Sequence, residues 1–80
     1  MAREVTCDVI KLVKSEQIPD GEIRLQVVSW NKGQPKLEYR RYYEDASGEM
    51  KPGKLAGINY DTLQTIEENL STIKKAMGSL

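Results

Sequence analysis

The 80-residue chain contains no histidine, no phenylalanine and only one cysteine. The missing histidine removes the side chain best suited to proton transfer near neutral pH and the commonest ligand of transition metals. No glycine-rich phosphate loop follows a strand, and Glu44, Asp45 and Glu49 read as solvated acids in one turn, with no general base beside them. Catalysis, a bound metal and a cofactor are therefore not expected. A lone cysteine cannot close an internal disulfide. Cys7 falls in an apolar row and reads as a small core residue, because no histidine is present to activate its thiol. No apolar run approaches the ~20 residues that span a membrane as a helix, and Met1-Ala2-Arg3-Glu4 leads into an alternating segment instead of an apolar signal core. The expectation is a soluble intracellular protein without membrane association, cytoplasmic (nucleoid-associated) in a prokaryote or nuclear in a eukaryote.

Net charge is lacking too: twelve cations balance twelve anions. That removes the overall basic excess usual in nucleic-acid binders, but the charges are not evenly spread. Residues 1–23 carry three cations and five anions, whereas residues 24–43 carry Arg24, Lys32, Lys36, Arg40 and Arg41 against Glu38 alone. A local field of that sign attracts phosphates even on a neutral chain. The chain is also short. A domain of this size buries only roughly 60% of its unfolded surface, so a partner subunit would help to stabilise it.

What is present is concentrated between Lys36 and Ile58. Tyr39, Tyr42 and Tyr43, three of the four tyrosines, stand among Arg40 and Arg41. An acidic turn at residues 44–48 follows, and then Met50-Lys51-Pro52-Gly53-Lys54, a basic loop stiffened by proline and loosened by glycine. Aromatic rings beside cations suit single-stranded nucleic acid, since bases stack on the rings while cations track phosphates. The same residues equally suit an ordinary strand with a solvated charged face. Residue type alone leaves both readings open.

Period-2 alternation predicts strands at residues 4–14, 22–30 and 35–43, with a short fourth strand at 54–59. In the first, Val5, Cys7 and Val9 form one row, and the adjoining pairs Val9-Ile10 and Leu12-Val13 predict a bulge or burial on both faces. Residues 15–21 read as a turn and Asn31-Lys32-Gly33-Gln34 as a hairpin, with Asn and Gly suited to positive φ. From Asp61 the period changes: Leu63, Ile66, Leu70, Ile73 and Met77 predict one amphipathic helix over 61–77. Asp61 and Gln64 fit a capping box, and Gly78 ends the helix. The stripe reads as core, or as core plus dimer seam. The expected fold is α+β: a four-stranded antiparallel curved sheet followed by one C-terminal helix, one domain over residues 1–80, dimeric.

Gly48-Glu49-Met50-Lys51-Pro52-Gly53-Lys54, with Gly57-Ile58 and a helix behind it, resembles the signature of the positive cofactor four (p15) transcriptional coactivators. That signature reads G-E-x-K-P-G-[KR]-K-G-I-x-L. Val28-Ser29-Trp30-Asn31, with Pro35-Lys36 and Arg40 behind it, resembles the bacterial and phage branch. The likeness extends over about residues 5–77. It implies a homodimer that binds single-stranded DNA with little sequence preference and serves transcription, replication or repair. RNA is a further candidate ligand, and transcription or replication proteins are candidate partners.

Carried over by position, Arg40 matches the family's strand arginine and Tyr43 stands where its stacking tryptophan does. Lys51 matches the loop lysine, and Lys54 the basic residue after Pro-Gly. Arg24, Trp30, Lys32 and Lys36 join them as candidate contacts, because the first two strands border the same surface. Trp30 is left between base stacking and packing in the core or a dimer seam. Two departures weaken the expected affinity. Leu55-Ala56 replaces the usual lysine before Gly-Ile, and Tyr43 offers less stacking area than tryptophan. A dimeric protein-interaction adaptor that binds no nucleic acid is the alternative.

Overall fold

The computed structural model describes residues 6–78. Four strands, β1 (Cys7–Ile18), β2 (Gly21–Trp30), β3 (Lys36–Glu44) and β4 (Met50–Leu55), form one antiparallel sheet in chain order. Two short helices, α1 (Tyr60–Glu68) and α2 (Leu70–Met77), follow. The fold is therefore α+β, as the alternation and the later change of period predict.

β2 is the strand around which the core forms. It pairs with β1 on one side and β3 on the other, and Leu25, Gln26, Val27, Val28 and Ser29 are all buried. Five consecutive buried positions mean that both sheet faces are covered there. Ile23, Leu25 and Val27 stand on one face, directly opposite Arg41, Tyr39 and Leu37 of β3. Asn59, Asp61, Thr62 and Thr65 of the α1 segment share a cleft with Ile23, Leu25 and Tyr39, so this is the helix side. Ile73 of α2 is also buried. The opposite face carries Arg24, Gln26, Val28 and Trp30, with Lys36, Glu38, Arg40 and Tyr42 beside them on β3. Among the described residues no helix covers that face; Tyr42 and the long stems of the arginines shield it instead.

Within this shielded face Gln26 Nε2 donates to the Tyr42 hydroxyl at 2.5 Å, and the Arg24 guanidinium lies 4.3 Å from the Tyr42 ring centroid. Burial, the largest cause, raises the Tyr42 pKa, so the phenol stays protonated. Gly21 lets β2 begin close against β3, since a Cβ there would collide with the Tyr42 carbonyl. The β2–β3 hairpin is a turn with both Asn31 (φ 51°) and Lys32 (φ 60°) left-handed, closed by Gly33 N–H donating to the Trp30 carbonyl at 2.8 Å. The positive φ expected at Gly33 falls on Lys32 instead.

Several sequence expectations are corrected. β1 does not stop at residue 14: Ser15 to Ile18 continue the ladder, leaving only Pro19 and Asp20 as the turn. Two register shifts, at Ile10 and at Val13, bear out the expected irregularity. Yet the apolar row of β1 is not core, because this is an edge strand: Val9 and Leu12 are about half exposed and Cys7 only partly buried. Glu4 and Val5 lie outside the described residues. The fourth strand is Met50–Leu55, not 54–59, so the expected basic loop is itself a strand. An edge position permits this, since Pro52 lacks only an N–H that an outer strand need not donate.

The single helix over 61–77 is two helices, broken at Asn69. The Asn69 side-chain amide donates to the Thr65 carbonyl at 2.8 Å, competing with its own backbone N–H, which divides between the Thr65 and Ile66 carbonyls. The N-cap is Asn59, not Asp61: its Oδ1 accepts from the Thr62 N–H and hydroxyl, both at 2.9 Å. Asp61 sits inside the first turn, where its charge suits the helix dipole. Gly78 caps α2 as expected.

Tyr42→Phe should lower stability by about 1–3 kcal/mol, because the buried Gln26 amide then loses its partner. Urea unfolding should show a lower midpoint at unchanged slope; an unmoved midpoint would mean that the amide finds another partner.

Candidate nucleic-acid interface

The sheet register divides the residues singled out from the sequence between two faces. Arg24, Trp30, Lys36 and Arg40 stand on the face away from the helices, and Tyr43 and Lys51, a directly opposed pair, stand on the other. Lys32 is at the tip of the β2–β3 hairpin and Lys54 at a bulge in β4. They do not form one continuous patch.

On the face away from the helices the pattern Glu-x-Arg occurs twice, as Glu22-Ile23-Arg24 on β2 and Glu38-Tyr39-Arg40 on β3. Residues two apart on a strand share a face, so each arginine meets its own glutamate: Arg24 Nε bonds to Glu22, and Arg40 Nε lies 2.9 Å from Glu38 Oε1. Arg24 and Arg40 are themselves directly opposite across the two strands. Such like-charge pairing is destabilising unless neutralised, and the two carboxylates neutralise it. Trp30 joins the second cluster. Its indole N–H donates to Glu38 Oε2 at 2.7 Å, and Arg40 lies 5.3 Å from the ring centroid. Trp30 is thus partly buried and pinned by its polar edge.

The hydrogen bonds from Arg40 hold the Glu38 carboxyl below its ordinary range; partial burial opposes this and the Trp30 N–H reinforces it. The same contact with Glu38 raises the Arg40 pKa. Burial, ahead of the nearby Glu38 charge, pushes the Cys7 thiol up, away from a reactive thiolate.

The helix side is open where β3 and β4 approach their connecting turn. Tyr43 is 48% exposed. Lys51 lies across from it, and its Nζ is 3.6 Å from Glu49 and 4.0 Å from Asp45, both loose contacts. Asp45 organises the turn. Its Oδ1 accepts from the Ser47 hydroxyl at 2.6 Å, the Ser47 N–H at 2.9 Å and the Glu49 N–H at 3.0 Å. The Ser47 hydroxyl bond is the largest cause that lowers the Asp45 pKa, followed by the Glu49 N–H. The acidic segment is therefore a self-contained turn, and among the described residues no group of three or more potential ligands could hold a metal.

β4 bulges opposite Arg41, where Gly53 and Lys54 stand against one residue of β3. Arg41 and Lys54 are exposed, and neither has an ion-pair partner among the described residues. Lys36 shares that state, whereas Lys32 is 4.0 Å from Asp8. Arg41 was not among the candidates drawn from the sequence. The signal was the alternation itself, which sets Arg41 on the face of Tyr39 and Tyr43.

Glu38 has a lowered folded-state pKa, so its contribution to stability is present above its ordinary value of 4.5 and is lost as pH falls through the folded value. Thermal melts from pH 7 to pH 3 should therefore show a shallower acid limb in Glu38→Gln than in the parent. Asp45 titrates in the same direction and keeps the limb from vanishing.

A comparison with protein families matches residues 18–62 to the model described as Transcriptional Coactivator p15 (PC4). No curated protein and no solved structure matches the chain. The matched span is narrower than residues 5–77, but it takes in β2, β3, β4, the turns between them and the N-cap of α1, which together hold every candidate contact named above. It covers more than half of the 80 residues, and on that ground the chain belongs to the Transcriptional Coactivator p15 (PC4) family.

Proposed function

We propose that this protein binds single-stranded DNA with little sequence preference, as a homodimer, and acts in a transcription-coactivator-like role. The observation that carries the reading is the open end of the β3–β4 hairpin. There the half-exposed ring of Tyr43 stands across from Lys51 and beside the exposed cations Arg41 and Lys54. A ring free to stack and cations free to meet phosphates are the two components that single-strand binding needs. Membership of a coactivator family agrees with it, and the Val28-Ser29-Trp30-Asn31 segment favours the bacterial and phage branch of that family.

Dimer formation is supported by apolar surface. Tyr60, Leu63, Ile66 and Leu70 line one groove along the helices, and Tyr60 is 74% and Leu63 58% exposed. Of the helical stripe only Ile73 is fully buried, so most of it is available to a second copy. Sedimentation at micromolar concentration should show a dimer, and Leu63→Asp should shift it towards the 9.1 kDa monomer. A parent protein that sediments only as monomer removes the dimer from the proposal.

The nucleic-acid reading is tested by titrating oligo-dT and a duplex of equal length across a salt series. Oligo-dT should bind more tightly at every salt concentration, because a duplex hides its bases. Lys51→Ala and Lys54→Ala should each flatten the log–log salt slope by roughly 0.7, one single-strand phosphate. Tyr43→Ala should weaken binding by about 1–3 kcal/mol at nearly constant slope. Equal binding of duplex and oligo-dT, or loss of melting temperature with unchanged affinity in Tyr43→Ala, contradicts a stacking platform. Absence of binding to either favours the protein-interaction adaptor.

A further inference from the structure

Arg40 differs from the other candidate cations because all three of its guanidinium nitrogens are already engaged inside the protein. Nε reaches Glu38 Oε1 at 2.9 Å and one terminal nitrogen reaches Glu38 Oε2 at 3.0 Å, a side-on fork. The other terminal nitrogen donates to the Gly53 carbonyl at 2.6 Å. Glu38 is fixed in turn by the Trp30 N–H. The side chains of Arg40 and Glu38 are only 18% and 11% exposed. Charge-assisted bonds that are bidentate and shielded from water are the strong kind.

The carbonyl that Arg40 grips belongs to the bulge. Gly53 and Lys54 together oppose Arg41, and a bulge leaves its extra residue outside the regular ladder, in need of another anchor. Gly53 also touches the proposed binding side. A Cβ there would stand 3.4 Å from Tyr43 Cδ1 and 3.1 Å from the Arg41 carbonyl oxygen. The Gly53 backbone is thus held by a guanidinium on one face of the sheet and borders an aromatic ring on the other. The chain of contacts Trp30–Glu38–Arg40–Gly53 crosses from β2 through β3 to β4 and ends beside Tyr43 and Lys54.

We propose that Glu38 and Arg40 are positioning residues for nucleic-acid contact: Glu38 orients the Arg40 guanidinium, and Arg40 sets the Gly53 bulge that presents Tyr43 and Lys54. The assignment rests on the single-strand reading above and deepens it. It reverses the role that charge alone would give these residues. If Arg40 met a phosphate directly, Glu38 would compete with that phosphate, and removing its charge would tighten binding. As a positioning pair, the two lose function together when either is altered. Lysine cannot replace Arg40, because an ammonium lacks the planar fork that holds Glu38 and Gly53 at once.

The test uses Arg40→Lys, Arg40→Ala and Glu38→Gln in the full chain, with affinities measured at a temperature where circular dichroism shows every variant folded. Arg40→Lys should bind oligo-dT about tenfold more weakly, comparable to losing one base stack, with the salt slope of the parent. Glu38→Gln should weaken binding in the same direction. In the protein without nucleic acid, NMR resonances of the Tyr43 ring and the Lys54 amide should move in all three variants. The assignment is overturned if Arg40→Lys binds like the parent while Arg40→Ala loses about one phosphate of salt slope, or if Glu38→Gln binds more tightly. Unmoved Tyr43 and Lys54 resonances overturn it as well. Should the parent protein fail to bind oligo-dT, the single-strand reading falls, and the resonances still decide whether Arg40 places Tyr43 and Lys54.

Discussion

The pairing of β2 with strands on both sides is the constraint on which the rest of this structure depends. A central strand with five successive buried residues needs cover on both faces, and in so short a chain the cover comes from two different sources. On one face a helical segment delivers Ile73 and Thr62. On the other the described residues supply no second layer, and Tyr42 with the Arg24 and Arg40 clusters takes its place. Polar side chains therefore do part of the work of a core. Most of their polar atoms pair with one another, since a buried polar group without a partner costs more than an apolar one, and among the described residues Gln26 Oε1 is the exception.

That requirement explains why Arg24 and Arg40, the two arginines of this face, are not free cations. Arg24 and Arg40 face one another across β2 and β3, an arrangement tolerable only because Glu22 and Glu38 stand two residues before them on the same face. The face away from the helices is consequently close to neutral. On β3 and β4 the cations left to act at a distance are at the margins: Lys36 at the start of β3, Arg41 and Lys54 at the bulge, and Lys51 loosely held by an acidic turn. Net charge says nothing about this division, which follows from which partners each strand brings within reach.

β1 and β4 are the outer strands, and each is irregular. β1 carries two register shifts, while β4 contains Pro52 and a bulge. Bulges and proline on edge strands hinder unwanted strand addition. In β4 the same irregularity brings the Gly53 backbone beside Tyr43, at the proposed interface. Exposed apolar residues also run along the helices, on the surface that the proposed dimer would bury.

The amino-acid sequence by itself determined the faces of β2 and β3, the order of four strands before a helical segment, and the family, because alternation, 3.6-residue spacing and the Gly-Glu-Met-Lys-Pro-Gly-Lys segment are local patterns. Even the face shared by Tyr39, Arg41 and Tyr43 was legible from parity alone. Only the tertiary structure decided the rest. Lys51–Lys54 read as a loop because Pro and Gly break strands, and β3 supplies the partner that makes them one. The helix looked continuous because its apolar spacing is regular, and the break at Asn69 comes from a side-chain bond that periodicity does not register. Arg40 looked like a free cation beside the aromatic cluster. Its bond to Glu38 lies within β3, but its bond to Gly53, thirteen residues away, exists only once β3 and β4 are side by side. Composition places charges on a chain; pairing across strands decides which of them remain available.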